Sequence, residues 1–422
     1  MMNEIISETN QTTTALLAID NDLLQVRFWV QRIFVPVITV VGVFGNLITL
    51  IVMFQKKMRS ITSTTHIYLA TLAIFDTFYL SFSFLLSIQH YPSFSGGLSS
   101  LSNDSFKILY LLCYPGIIFC CDFASNTSIW LTVIFTIERY IAIRFPLRLR
   151  VFCTRSLALK MIPLIGSVCF LLTLPTYFEW KICANDTDVT DDNVKFIRIC
   201  DSDLAKNQTY KMIYLVFITM IFTFIPLSLL TIMNGFLIWS VKQQTLRRHQ
   251  WMTHSNSFCA NNSGDSSSLT SGIRTSLQSS SNQMITTTTT TTKSIRSVNR
   301  LANPQQILLE SAIKFNRYRI LRYQDAHVTR LLIAVVIFFI CCQLPTALVI
   351  VYDTFHHQPL NNDNNQDKKI KQILGNICNL LMAINSAGNF IIYCLLSRRY
   401  RETLLDMIYR IFNRKKSQIR ST

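Results

Sequence analysis

The chain has 422 residues; 50% are hydrophobic, only 15% are charged, and the formal net charge is +17. A soluble domain of that length needs far more charge on its surface, so the composition excludes an ordinary water-soluble enzyme or binding module. The apolar residues are also clumped, in stretches long enough to cross a bilayer, which takes about 20 apolar residues each.

Taken in order, those stretches predict spans near 33–54, 66–90, 109–137, 157–178, 212–240, 328–352 and 372–396. A lipid-exposed backbone must satisfy its own hydrogen bonds, so helices are required, and the short alternating segments of a β-barrel are missing. The expected fold is all-α, a seven-transmembrane helix bundle with a short amphipathic membrane-surface helix after the seventh span. Residues 1–31 read as an extracellular tail and 32–241 as the first five spans with their loops. Residues 242–325 read as a disordered cytosolic loop, 326–397 as the last two spans, and 398–422 as the surface helix and cytosolic tail. Residues 1–30 are polar and acidic without a basic start, so the first span is expected to act as its own insertion signal.

Orientation follows from charge. Lys and Arg crowd four segments: Lys56, Lys57 and Arg59; Arg144 to Lys160; 242–325; and the tail from Arg398. That side is predicted to be cytosolic, in a multi-pass protein of the plasma membrane. On the opposite side Asn10, Asn103, Asn185 and Asn207 head glycosylation triplets. Asn126 and Asn261 match the same pattern but fall within a span and in the cytosolic loop. An outside N-terminus with an inside C-terminus needs an odd number of spans, and seven satisfies it. The positive charge is explained by topology and by anionic lipids of the inner leaflet, so no nucleic-acid partner is expected.

Residues 255–297 are of low complexity, with an unbroken Thr run at 286–292. Such composition cannot bury a core, but its hydroxyls suit receptor kinases and an arrestin-like reader of phosphate. Beyond the seventh span, Tyr400, Leu404, Leu405, Ile408 and Phe412 share one face of a helix whose other face carries Arg. No cysteine follows Cys394, so no palmitoyl anchor is expected there. Of 12 cysteines, only Cys113, Cys183 and Cys200 face the oxidising exterior, which permits one disulfide and leaves one thiol over.

Polar residues inside membrane helices are costly and mark function. They stand here one group per helix: Asn46 in Gly45-Asn46-Leu47, Asp76 at the end of Leu72-Ala73-Ile74-Phe75-Asp76, and Glu138-Arg139-Tyr140 closing the third span. Pro226 and Pro345 sit mid-span in the fifth and sixth, where each frees a carbonyl and is expected to kink its helix. The seventh reads Asn385-Ser386-Ala387-Gly388-Asn389-Phe390-Ile391-Ile392-Tyr393.

In that order the motifs resemble the rhodopsin-like (class A) G-protein-coupled receptors across residues 32–412. Within that class the chain is similar to invertebrate FMRFamide-type neuropeptide receptors. It shares Leu174-Pro175-Thr176-Tyr177-Phe178-Glu179 after the fourth span, Cys342-Gln343-Leu344-Pro345 in the sixth and Asn389-Phe390-Ile391-Ile392-Tyr393 in the seventh. It departs from the class in three places. Cys113 lies 26 residues before Arg139, one more than usual, implying a bulge near Pro115; the mid-fourth-span Trp is missing; and the sixth-span Trp is replaced, so Gln343 would serve in its place.

The resemblance implies a receptor, not an enzyme, that binds an extracellular peptide and activates a heterotrimeric G protein. It implies a Cys113–Cys200 disulfide with Cys183 left over. Asp76, Ser128, Asn385, Ser386 and Asn389 would form a polar cluster, a candidate Na+ site in a protein with no other cofactor or metal. Glu138, Arg139, Tyr140, Asp325 and Tyr393 would form the coupling switch. Asp122, Glu179 and Gln343 are the ligand-binding candidates, best suited to an amidated Arg-Phe peptide. Another peptide class or a small amine remains open, although Cys121 stands where an amine receptor wants Asp. A retinal Schiff base has no Lys within 372–396, and a transporter would show repeated halves, which are missing.

Overall fold

The computed structural model describes residues 21–55, 64–91, 105–145, 154–185, 196–261, 333–352 and 365–419. Seven of its helices are long and apolar enough to cross a membrane. They are α1 (Asn21–Phe54), α2 (Thr65–Ser87, prolonged by a 3-10 turn at Ile88–His90), α3 (Ser105–Arg144) and α4 (Arg155–Thr173). The fifth, α5, starts at Gln208, passes through a π turn at Met220–Phe224 and continues as Ile225–Asn261. The last two are α6 (Ile333–Tyr352) and α7 (Asn365–Leu396). An eighth, α8 (Arg398–Ile419), follows with only Ser397 between.

Each expected span is present, but several helices outrun their apolar stretch. α1 begins at Asn21 with polar residues that favour the water side of the interface, so the expected tail of 31 residues is shortened. α5 runs to Asn261, so the start of the expected disordered loop is helical. Residues 242–252 are rich in Lys, Gln, Arg and Leu, which lose little rotamer freedom in a helix. Residues 238–326 separate from the remainder as a second unit, of which the described part is the helical stretch 238–261. The low-complexity segment 262–297 lies outside the described residues.

Proline sets the local irregularities. A proline cannot donate to the carbonyl four residues back, and its ring crowds that carbonyl. Pro36 follows a π-helical segment at Phe28–Phe34, and Pro226 follows the π turn at Met220–Phe224, so each preceding stretch widens to take the ring. α3 is unbroken through Pro115, so the bulge implied by the Cys113 spacing does not occur, and α6 is likewise continuous through Pro345.

The helices pack in sequence order, α1 on α2, α2 on α3 and α3 on α4, while α7 closes against α1 and α2. Side chains from α1 to α8 share one buried cluster that includes Met53, Tyr68, Leu131, Leu230, Val336, Tyr393 and Tyr400. Glycine permits the closest approach. A Cβ on Gly42 would lie 2.7 Å from Ala387 Cβ, and one on Gly45 would lie 2.8 Å from the Phe390 side chain. One on Gly388 would overlap the Phe338 ring.

α8 is longer than the expected 398–412. Tyr400 and Thr403 are buried against the bundle, whereas Leu405, Ile408 and Phe412 remain exposed. The Tyr400 hydroxyl meets Thr49 Oγ1 at 3.0 Å, and Arg401 reaches back to the Cys394 and Leu395 carbonyls. One feature departs from an all-helical reading. A two-stranded antiparallel hairpin, β1 (Trp180–Asn185) with β2 (Phe196–Asp201), stands between α4 and α5.

Gly42→Ala places a methyl against a Cβ that cannot rotate away, at an overpacking cost of about 1–3 kcal/mol. Its melting temperature in detergent should fall. Gly166→Ala, in α4 with nothing within 4 Å, should leave it unchanged or raise it. Equal behaviour of the two variants would show that α1 and α7 are not held at this distance.

Candidate functional site

Asp76 is fully buried on α2. Ser128 of α3 donates to its Oδ1 at 2.7 Å and Asn389 of α7 donates to its Oδ2 at 2.7 Å, and Ser386 adds a third side-chain hydrogen bond. Asn46 of α1 donates to the Ser386 carbonyl at 3.1 Å. Three helices therefore meet at one carboxylate, and α1 joins them through Ser386. Of the five expected members, Asn385 alone is not joined to it by a hydrogen bond among the described residues.

The second group lies where α3 ends. Glu138 and Arg139 are buried and paired at 2.9 Å. Thr64, at the start of α2, donates to Glu138 Oε1 and accepts from Arg139 Nη2 at 3.0 Å. The guanidinium also lies over Phe135 at 5.5 Å, and Tyr140 leans on Phe236 of α5. Asp325, the expected partner of Arg139, lies outside the described residues. Tyr393 is buried beside Tyr400, ring to ring at 5.9 Å.

The third group sits at the hairpin end. Trp180 packs edge-on against Tyr114 at 5.9 Å, and with Ile199 it covers Tyr110, Tyr114 and Ile117 of α3. Glu179 precedes the hairpin, and its carbonyl accepts from Ser202 N at 2.8 Å. Tyr210 donates to its carboxylate at 3.4 Å, and Tyr210 stacks on Tyr214 at 5.5 Å. Burial pushes the Glu179 carboxyl above its ordinary pKa, while Tyr210 and Lys211 pull it back and Asp201 adds to the rise. Asp122, half-buried on α3, interacts electrostatically with Glu179, and both act on Tyr214. Gln343 is buried on α6, and no hydrogen bond among the described residues links it to these carboxylates. Two acids beside two stacked phenols make a niche for a cation with an aromatic neighbour.

The structure does not join Cys113 to Cys200. Cys113 is exposed and free, and no disulfide occurs among the described residues. Tyr114, one residue and about 100° further round the helix, is the side chain that meets the hairpin. The spacing of 26 to Arg139, in an unbroken helix, turns the thiol away. Among the glycosylation candidates, Asn10 and Asn103 lie outside the described residues, and Asn185 ends β1. Asn207 is exposed, and its Oδ1 caps α5 by accepting from Thr209 and Tyr210 N–H, which leaves Nδ2 for a sugar. Asn126 instead donates to Thr173 within the bundle.

A family model described as "7 transmembrane receptor (rhodopsin family)" matches residues 45–393. The chain belongs to that family. It is therefore a multi-pass membrane receptor and not an enzyme. Its relatives include an FMRFamide receptor of Drosophila melanogaster, 28% identical over 54% of this chain and 41% of the relative. An FMRFamide peptide receptor of Caenorhabditis elegans is 28% identical over 51% of this chain and 48% of its own. The human thyrotropin-releasing hormone receptor is 30% identical over 56% and 54%. The chain spans about half the length of the curated relatives it matches.

Sequence reasoning missed several residues of this receptor. Thr64 gives no local signal, because its contact with Arg139 joins residues 75 apart. Tyr210 and Tyr214 stand at helical spacing and were readable. Asn234 also carried a signal, an amide within an apolar span. It is 4% exposed, and neither of its amide atoms has a hydrogen-bond partner among the described residues, nor do the buried Arg139 Nε and Tyr393 Oη. A buried unsatisfied amide costs about 1–3 kcal/mol, which a similar-sized apolar side chain avoids. Asn234→Leu should raise the melting temperature of the ligand-free receptor and lower its basal signalling. A lower melting temperature would show that the amide is satisfied in this state.

Proposed function

We propose that this receptor binds an extracellular neuropeptide, best matched by one ending in Arg-Phe-amide, and activates a heterotrimeric G protein. The observation that carries the reading is the acidic, aromatic niche of Glu179, Asp122, Tyr210 and Tyr214 at the hairpin end. The names of two relatives, both FMRFamide receptors, point the same way. The distribution of basic residues supports a hairpin facing the exterior of the plasma membrane and an Arg139 end facing the cytosol.

The planar guanidinium of the peptide Arg would donate two charge-assisted hydrogen bonds to a carboxylate, and its Phe would stack among the tyrosines. Binding favours whichever bundle conformation holds that cation best and shifts the balance between states. In the resting arrangement Glu138 and Thr64 hold Arg139. Activation would release the guanidinium to the G protein, with Tyr393 moving into the space and Tyr140 flanking it. Asp325 would add to the restraint on Arg139. Asp76, Ser128 and Ser386 supply oxygen donors suited to Na+, and Asn385 would join them through water. That ion would favour the resting arrangement. Phosphorylation of the Ser/Thr-rich loop by receptor kinases, read by arrestin, would end the signal.

Removing one partner of a buried charge pair costs about 2–5 kcal/mol, roughly 30-fold in affinity at the low end. Glu179→Gln or Asp122→Asn should shift the dose–response of an Arg-Phe-amide peptide by that order, and that of its citrulline analogue much less. A panel of such peptides without any response at well-expressed receptor would favour another peptide class, a reading that likeness to the thyrotropin-releasing hormone receptor also supports. Full potency on both variants would discard the anchors.

Acidity gives an independent check. Glu179 must be ionised to pair with Arg, and its pKa in the free receptor is raised. Affinity should therefore be full at high pH and fall as pH drops through that raised value, with the citrulline peptide much less affected. A pH-independent potency ratio between the two peptides would remove Glu179 from the site.

A further inference from the structure

We infer that Cys183 and Cys200 form a disulfide that staples the β1–β2 hairpin, while Cys113 stays a thiol. The strand register pairs Lys181 with Cys200 and Cys183 with Arg198. Cys183 and Lys181 are two residues apart on one strand, so both cysteines lie on the same face, as diagonal neighbours. In a flat ladder that diagonal is roughly 7–8 Å, at the limit of what a disulfide spans. A two-stranded ribbon twists more strongly than a wide sheet and so shortens one of its diagonals. Here the two thiols are already in hydrogen-bond contact.

Cys113 offers no competing partner. Its side chain is exposed on α3, while Tyr110, Tyr114 and Ile117 occupy the surface that meets Trp180 and Ile199. The hairpin is held to α3 by aromatic contact and to Glu179 by the Ser202 amide, so it needs no bond to α3 to keep its place.

The chemistry is thiol–disulfide exchange with an oxidoreductase of the secretory compartment, and it takes the hairpin end as the outer one. Hydrogen bonding to Cys200, then burial, holds the Cys183 thiol above its ordinary pKa. The Cys200 thiolate attacks the disulfide of the oxidoreductase, giving a mixed disulfide and releasing one enzyme thiolate. Cys183, losing its proton, then attacks the Cys200 sulfur and displaces the second enzyme thiolate. The receptor loses two protons and two electrons, and the oxidoreductase disulfide becomes a dithiol.

The test uses the full chain on intact cells. Accessible thiols are capped with a membrane-impermeant maleimide, the receptor is deglycosylated and digested with trypsin without reduction, and its peptides are weighed. Residues 182–195 and 199–206 form separate tryptic peptides, one cysteine each. The expected result is a linked 182–195/199–206 pair that separates on reduction, with maleimide on Cys113. A link between the peptides of Cys113 and Cys200, or maleimide on Cys183 or Cys200, overturns the proposal. Variants give a second reading. Cys113→Ser should keep wild-type surface expression and potency, and Cys183→Ser/Cys200→Ser should be no worse than either single change. A tenfold loss of surface expression in Cys113→Ser that is absent in Cys183→Ser would also overturn it. The linkage is read on unaltered receptor, so it decides the matter even where a variant fails to fold.

Discussion

Burying the Asp76 carboxylate in an apolar bundle is the constraint on which the arrangement of α1, α2, α3 and α7 depends. An unpaired carboxylate in the bilayer interior is expensive, and the expense is met here by donors that only other helices can supply. Ser128 must come from α3, Asn389 and Ser386 from α7, and Asn46 fixes the Ser386 carbonyl from α1. Hydrophobic burial alone cannot do this, because lipid is as apolar as leucine and gives neighbouring helices little reason to meet. Polar satisfaction selects the partners, and small residues let them approach. Gly42 and Gly45 bring α1 onto Ala387 and Phe390, the immediate neighbours of the residues that hold Asp76.

The same logic explains what was legible beforehand. Seven spans were readable because hydropathy works over twenty residues and tolerates errors at the ends. The boundaries were not, since α1, α3, α5 and α7 run beyond their apolar stretches onto residues that hydropathy counts against a span. Asp76, Ser128, Asn385, Ser386 and Asn389 stood out as polar groups in apolar surroundings, and hydrogen bonds link Asp76 to Ser128, Ser386 and Asn389. Arg139 stood out too, but the hydroxyl that holds it, Thr64, sits in an ordinary sequence before α2 and acquires its role only through packing.

The cysteine expectation failed for a specific reason. It carried over a pairing in which the α3 cysteine faces the loop, and a one-residue difference in spacing changes the phase of a helix by about 100°. The remedy expected from the sequence was a bulge at Pro115. The chain instead keeps its helix and presents Tyr114 to Trp180. The hairpin itself lacked a sequence signal as strong as a span. Its strands become visible only once Trp180 and Ile199 cover the stripe of Tyr110, Tyr114 and Ile117. Phase, not composition, decided which cysteines are neighbours.

Function requires that the two ends of the bundle sense one another, and α3 is the element common to both. It carries Tyr114 under the hairpin, Asp122 at the acidic niche, Ser128 at the buried carboxylate and Glu138–Arg139 at the far end. A helix this regular transmits displacement as a nearly rigid body, and its neighbours are packed too closely to yield gradually. A shift of α3 at Asp122 must therefore either be refused or break discrete contacts further along. Ser128–Asp76 is one, and a hydrogen bond to a charged group is worth about 1.5–3 kcal/mol, or roughly 10- to 150-fold in an equilibrium. Thr64–Arg139 is another. Both oppose the change. The polar atoms of Asn234 and Tyr393 have no hydrogen-bond partner among the described residues, which weighs against this arrangement from the other side. A receptor needs two states within a few kcal/mol of each other. Here one is held by satisfied charge and destabilised by an amide and a hydroxyl that lack partners among the described residues, and that opposition keeps the arrangement from being over-stabilised.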